Sequence, residues 1–333
     1  MYMKFSKGEI FFLFGLFLFG LGIMLIIMQY LFAPTSPSKL PQKQWQIESI
    51  DTMKYSRDMA RADLTNSKYA TESEKQVADI AATGANYVAI DTPYDDEFLP
   101  VLQVWVRAAR THGLHVWFRG NFSGWEGWFG YDKIDGQTHL AKTKQFILGN
   151  PGLFQDGDIF TSCPECENGV NLNPGDITAV IAHRKFLIEE YNTTKTAFDQ
   201  IGKNVKSNYF SMNADVARAV MDKPTTQSLG GIVVIDHYVL TSEQLADDVA
   251  SIANQSGGNI VLGEFGAPIP DIHGAMSDYQ QSAWLAKSLQ MLSGVNTLIG
   301  VNYWVNKGGS TALWRTDGTP KPSVGVLKQY FLL

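Results

Sequence analysis

The chain has 333 residues, a formal net charge of −6, 45% hydrophobic and 18% charged residues. That balance excludes a disordered polyelectrolyte and supplies a sizeable core, and the acidic surface argues against nucleic acid as the main partner. Aromatic side chains make up 12% of the chain, with 8 Trp; many belong to a core, and Trp is also the usual platform for a sugar ring.

Residues Ile10 to Ile27 carry no charge, and Met28 to Phe32 extend the run with only Gln29 polar. A run of roughly 20 apolar residues is long enough to cross a bilayer as a helix. Lys4 and Lys7 precede it, which keeps residues 1–9 in the cytoplasm and exports the rest, although Lys39 and Lys43 lie on the far side. A cleaved signal peptide is the alternative. The run is longer than a usual signal core, and no Ala-x-Ala site follows it. The expectation is therefore an uncleaved anchor over 10–32. A stiff linker follows over 33–44, with Pro34, Pro37 and Pro41, and then an extracytoplasmic domain over 45–333.

From Trp45 onward, strand-like and helix-like stretches alternate. Apolar runs predict strands at 47–53, 87–91, 115–119, 158–162, 209–213, 231–236, 260–264 and 298–304. Helical patterns fall between them. A Thr71-Glu-Ser-Glu74 capping box opens a helix to about Ala82, and Pro100 sits in the first turn of one running to His112. Further helices are expected at 138–148, 177–201, 214–221, 242–254, 277–292 and 324–331. The stretch from Gly120 to Gly136 reads as a Gly- and Trp-rich loop. Eight alternating pairs over about 290 residues fit a (β/α)8 TIM barrel of the α/β class, preceded by one N-terminal transmembrane helix. No Gly-x-Gly-x-x-Gly turn supports a nucleotide fold, and no cofactor or metal is implied.

The polar residues gather at the ends of strands. Strand four ends in Cys163-Pro-Glu165-Cys-Glu167-Asn168-Gly169, strand six in Asp236-His237-Tyr238, strand seven in Gly263-Glu264-Phe265-Gly266, and strand eight in Asn302-Tyr303-Trp304. A carboxylate at the C-terminal end of a barrel strand reads as catalytic. This pattern resembles the clan A glycoside hydrolases, most of all the cellulase family 5 group. The most specific piece is Leu262-Gly-Glu-Phe-Gly266. The resemblance implies a (β/α)8 barrel with Glu165 as acid/base after strand four and Glu264 as nucleophile after strand seven. It also implies His237 and Tyr238 after strand six and Trp304 after strand eight at the substrate. There are two departures. The family's Asn-Glu-Pro reads Pro164-Glu165-Cys166 here, which removes the Asn that contacts the sugar 2-hydroxyl. The Arg usual on an early strand is absent from 87–91, and either Arg119 or Arg57 takes its place.

Retaining cleavage needs two carboxyl groups about 5–5.5 Å apart across the scissile bond, and strands four and seven face each other across a barrel mouth. Either Tyr238 or His237 hydrogen-bonds Glu264 and keeps it ionised. Trp304 floors the reacting sugar's subsite, and Asn121, Trp125 and Arg119 complete the expected substrate contacts. Glu167 is either a sugar ligand or the rival acid. Trp128, Tyr131 and Trp314 are further candidates for stacking, whereas Trp117 reads as core. Asp91, Tyr94, Asp95 and Asp96 read best as a solvated loop.

Cys163 and Cys166 bracket Glu165. Two ligands alone do not make a structural zinc site. A local disulfide suits an exported domain best, with paired free thiols as the alternative. The expected function is a membrane-anchored retaining glycosidase acting on a poly- or oligosaccharide. The alternatives are a glycan-binding barrel impaired in hydrolysis and a transglycosylase of envelope or exopolysaccharide.

Overall fold

The apolar runs form eight parallel strands in the computed structural model, which describes residues 45–332. The expected anchor over 10–32, its cytoplasmic flank and the linker lie outside the described residues. Among the described residues no helix is long and apolar enough to cross a membrane. The strands are β1 (Ile47–Asp51), β2 (Tyr87–Ile90), β3 (His115–Phe118), β4 (Ile159–Phe160), β5 (Ser211–Asn213), β6 (Ile232–Asp236), β7 (Asn259–Phe265) and β8 (Leu298–Tyr303). They run in the order β4-β3-β2-β1-β8-β7-β6-β5. The circle closes between β4 and β5 through one bridge, Ile159 with Lys206. Phe160 N–H donates to the Lys206 carbonyl there and Lys206 N–H to the Asp158 carbonyl, both at 2.9 Å.

One long helix follows the strands in turn: α1 (Tyr69–Ala81), α2 (Leu99–Thr111), α3 (Gly136–Gly149), α4 (Ile177–Gln200), α5 (Ala214–Val220), α6 (Ser242–Ser256), α7 (Asp278–Leu292) and α8 (Pro322–Phe331). Their ends agree with the periodicity to within a few residues. The exception in kind is α1, which starts at Tyr69 with no side-chain cap. Docking of Tyr69 into the core, its hydroxyl donating to the Val101 carbonyl at 2.8 Å, carries the helix back past the Thr71 box. The reciprocal capping box is at α7, between Ser277 and Gln280. Short helices also occur where loops are expected, at Ser123–Glu126 and Cys166–Val170.

Strand periodicity separates two apolar layers and then builds the site. Ile47, Tyr87, Trp117, Ile159, Tyr209, Val234 and Val261 fill the lumen, so Trp117 is core as expected. Ile50, Val88, Phe118, Leu262 and Val301 belong to the layer beneath the helices. Because side chains on one face recur every second residue, the lumen face continues upward from Trp117 to Arg119, from Val234 to Asp236 and from Val261 to Gly263. Glycine is required at 263: a Cβ there would lie 2.4 Å from Asp236 Oδ1 and 2.8 Å from Val234 Cγ1. Each strand thus trades apolar packing for polar chemistry at its C-terminal end.

Candidate active site

Arg119 lies at the centre of the barrel's C-terminal end, 1% exposed. Its Nη1 donates to Asp51 Oδ2 at 3.2 Å and to the Gly263 carbonyl at 2.5 Å. Its Nη2 donates to Ser211 Oγ at 3.2 Å, Asp236 Oδ2 at 3.1 Å and Glu264 Oε1 at 3.0 Å. Asp91 stands 3.8 Å from Nε. One cation therefore faces four carboxyl groups. Burial raises Asp91 well above the usual carboxylate range, and the charge and hydrogen bond of neighbouring Asp51 add to it. Burial likewise raises Asp236, against the pull of Arg119. Both groups therefore bind a proton more readily than an exposed carboxyl group does.

Glu264 is set by the same balance. Burial pushes it up to about 7, Arg119 opposes, and the charges of Asp51 and Glu165 add to the rise. Tyr238 donates its hydroxyl to Glu264 Oε2 at 2.7 Å, which favours the ionised form. Of the two candidates for that bond, Tyr238 makes it. His237 turns away, pairing through Nε2 with Asp248 Oδ2 at 2.9 Å, and only its backbone N–H reaches the Glu264 carbonyl. Trp304 is partly exposed beside Tyr238, ring centroids 5.9 Å apart at 75°. Arg119, and not Arg57, supplies the cation on Glu264.

The strand-four loop presents its two carboxylates differently. Glu165 is half-buried, with its backbone in the left-handed region at φ 45°. It is tied by its N–H to the Ser211 carbonyl at 2.8 Å and accepts from Asn168 Nδ2 at 3.1 Å. Its charge acts on Glu264, Asp236, Glu167 and Glu126. Glu167 is buried, accepts from the Asn213 N–H at 2.8 Å, and is raised to about 7, chiefly by burial. Glu165 is thus the residue of the pair whose charge is felt at Glu264. Cys163 and Cys166 form a disulfide across this loop.

Two expected substrate contacts are placed elsewhere. Asn121 is fully buried behind the loop. Its Oδ1 takes Phe122 N–H at 2.7 Å and shares a hydrogen bond with His139 Nε2 at 2.9 Å, while its amide donates to Cys163 Sγ at 3.6 Å. The partner on the other side of His139 is buried Glu190. Trp125 is also buried, stacked on Phe186 at 5.3 Å and 7°, with Nε1 donating to the Cys166 carbonyl at 3.0 Å. Both residues brace the strand-four loop, Asn121 through its amide on Cys163 and Trp125 through its indole N–H on Cys166. Lys133 adds to the brace, donating to the carbonyls of Trp125 and Gly169.

Of the cluster expected to be a solvated loop, Asp96 is exposed, whereas Asp91, Tyr94 and Asp95 are packed. Asp91 faces Arg119, Tyr94 is buried with its hydroxyl on the Thr161 carbonyl at 2.7 Å, and Asp95 accepts from Ser123 N–H at 2.7 Å. Tyr131 is tied to Glu97 at 2.8 Å, and Trp314 is buried. Asp51 and Glu126 escaped the sequence reading. Asp51 follows its strand's apolar residues at the same step as Arg119, so its position was a usable signal. Glu126, raised to about 7 by burial and by Glu165, carries no such mark.

Solved glycoside hydrolases share this architecture. A GH5_18 enzyme from Bifidobacterium longum subsp. longum, crystallised with Manβ1-4GlcNAc, superposes with a TM-score of 0.62 at 14% identity, covering 86% of this chain and 78% of that one. The fold is the (β/α)8 barrel that these glycoside hydrolases share. An exo-β-1,4-mannosidase from Opitutaceae bacterium strain TAV5 gives 0.62 at 12% identity. A β-glucuronidase from Bacteroides uniformis gives 0.57 at 13%. This chain spans 59% of that mannosidase and 35% of that glucuronidase. No protein-family model and no curated protein matches the sequence.

Proposed function

We propose that this barrel is a retaining glycosidase that cleaves O-glycosidic bonds of a poly- or oligosaccharide by double displacement. What supports the reading is a carboxylate at the end of β7, Glu264, held by Arg119 and Tyr238, and a half-buried second one, Glu165, on the loop after β4. In the first step a Glu264 carboxylate oxygen attacks the anomeric carbon. The bond to the leaving oxygen breaks, and that oxygen takes the proton held by Glu165. In the second step Glu165 removes a proton from water, the water oxygen attacks the anomeric carbon, and Glu264 departs as a carboxylate. Arg119 and Tyr238 grip the two oxygens of Glu264, which holds the nucleophile at one angle without reorganisation. Trp304 offers the ring face for the reacting sugar.

Glu264→Gln should abolish release of reducing ends while the circular-dichroism spectrum stays that of the folded protein; undiminished turnover rejects the assignment. A second reading, glycan binding without hydrolysis, is favoured by the Pro164-Glu165-Cys166 bracket and its left-handed Glu165. Tight binding of a glycan that the unaltered protein never cleaves would favour it. We also propose that residues 10–32 tether the barrel to a membrane and that it faces outward. Deleting residues 1–32 should move the protein from the membrane to the soluble fraction.

A further inference from the structure

The exits of β8 and β1 form a corner whose charge runs against that of the molecule. Asn306 N–H donates to the Asp51 carbonyl at 2.9 Å, which folds the strand-eight loop over the strand-one exit. Gly308 and Gly309 both have left-handed backbones. A Cβ on Gly308 would lie 3.0 Å from Lys54 Cβ, and one on Gly309 3.4 Å from Lys54 Cε. Glycine here lets the loop close onto Lys54, which brings Lys307 beside it. The Lys54 ammonium stands 5.1 Å from the Trp304 ring centroid and that of Lys307 5.7 Å from Tyr55. The Arg57 guanidinium lies 4.7 Å from the Trp128 ring.

Three cations thus gather at this corner beside aromatic rings, and Lys307 also lines a hollow with Glu72, Lys75 and Asp79. Asp58 lies 3.2 Å from Lys54 and 3.0 Å from Arg57, and Arg57 also acts on the half-buried Glu126. Among the described residues no carboxylate lies within ion-pair distance of Lys307. Lys54, Arg57 and Lys307 outnumber Asp58 and Glu126 at this corner of a chain whose net charge is −6. The rim is continuous: Glu264 bonds Tyr238, Tyr238 packs on Trp304, and Trp304 carries Lys54. A group docked on Trp304 therefore meets the Lys54 ammonium.

We propose that the cleft takes an anionic glycan, with a carboxylate, sulfate or phosphate on the sugar beside Trp304 held by Lys54, Arg57 and Lys307. This rests on the glycosidase reading and names its substrate class. Ammonium and guanidinium groups around an aromatic face supply both the stacking surface and charge-assisted hydrogen bonds for such a substituent. A neutral sugar would leave the surplus positive charge without a counterpart.

The test is titration calorimetry of the full-length Glu264→Gln protein in detergent. The ligands are β-linked oligosaccharides that differ in one unit: neutral, uronate, sulfate ester or phosphate ester. At least one anionic member should bind about tenfold or more tightly than its neutral counterpart, with the gap narrowing as salt is raised. The comparison among the three identifies the substituent. Adding Lys54→Gln and Lys307→Gln should shrink that ratio, and a Lys54→Arg, Lys307→Arg variant should restore most of it. Equal or tighter binding of the neutral ligand, or a ratio unmoved by the glutamine variants, overturns the inference. Binding of no glycan at all overturns the glycosidase reading first, an outcome distinct from a loss of preference.

Discussion

Arg119→Met tests the electrostatic core of the site. The substitution keeps most of the length and removes the charge that faces Asp51, Asp91, Asp236 and Glu264. Removing one partner of a buried ion pair costs about 3–5 kcal/mol, a large share of the roughly 5–15 kcal/mol that holds a typical domain together. The cost should depend on pH. Arg119 is the strongest influence lowering Glu264, so its loss drives Glu264 above its already raised value of about 7. A carboxyl group raised on folding gives stability that is full below its unfolded value and lost as the pH rises through the folded one. The window for Glu264 opens at its ordinary value of 4.5 and extends upward. The deficit of the variant should therefore be near its maximum at about pH 8 and less than half of that at about pH 5, where the raised carboxyls of Asp91, Asp236 and Glu264 can take up protons. Urea unfolding followed by Trp fluorescence at both pH values reads it directly. A deficit below about 1 kcal/mol, the range of exposed ion pairs, or one that is equal at both pH values, refutes the reasoning.

Other expectations follow from the same geometry. Because Glu264 must ionise to attack, kcat/KM should climb as the pH passes through about 7; a flat profile across that range contradicts the nucleophile assignment. Tyr238→Phe removes a hydrogen bond to the charged form and should shift that limb upward by about one to two pH units. Glu165→Gln should slow turnover by about 100-fold or more and Glu167→Gln by less than about tenfold, measured on one substrate; the reverse order would make Glu167 the acid. Replacing Cys163 and Cys166 with Ser opens a four-residue loop, which on chain-entropy grounds costs about 2 kcal/mol in the midpoint-derived stability.

The barrel was legible because its strands and helices obey one rule each. Runs such as Ile232–Asp236 and Leu298–Tyr303 are apolar and closed by polar residues, and the long helices between them carry a helical period. Glu264, Tyr238 and Trp304 were legible because they sit at strand ends, where side chains leave the packed lumen for the mouth. What stayed hidden depends on partners distant in sequence. Nothing local distinguishes a buried Asp91 from a solvated one; the difference is Arg119, contributed by another strand. Asn121 and Trp125 have the chemistry of sugar ligands, yet His139, Phe186 and the disulfide loop claim them first. The Thr71 box failed for a related reason, since docking of Tyr69 overrode a local signal.

The closure between β4 and β5 carries a consequence for motion. Seven neighbouring pairs are laced by ladders, whereas the eighth junction is held by the Ile159–Lys206 bridge and a few flanking bonds. If the ring of staves breathes, amide exchange should be fastest along that seam, and Glu165 hangs directly above it. Glu165 is then mounted beside the most lightly laced junction and Glu264 on β7, which is paired on both sides. Movement at the barrel mouth would then shift Glu165 more readily than Glu264.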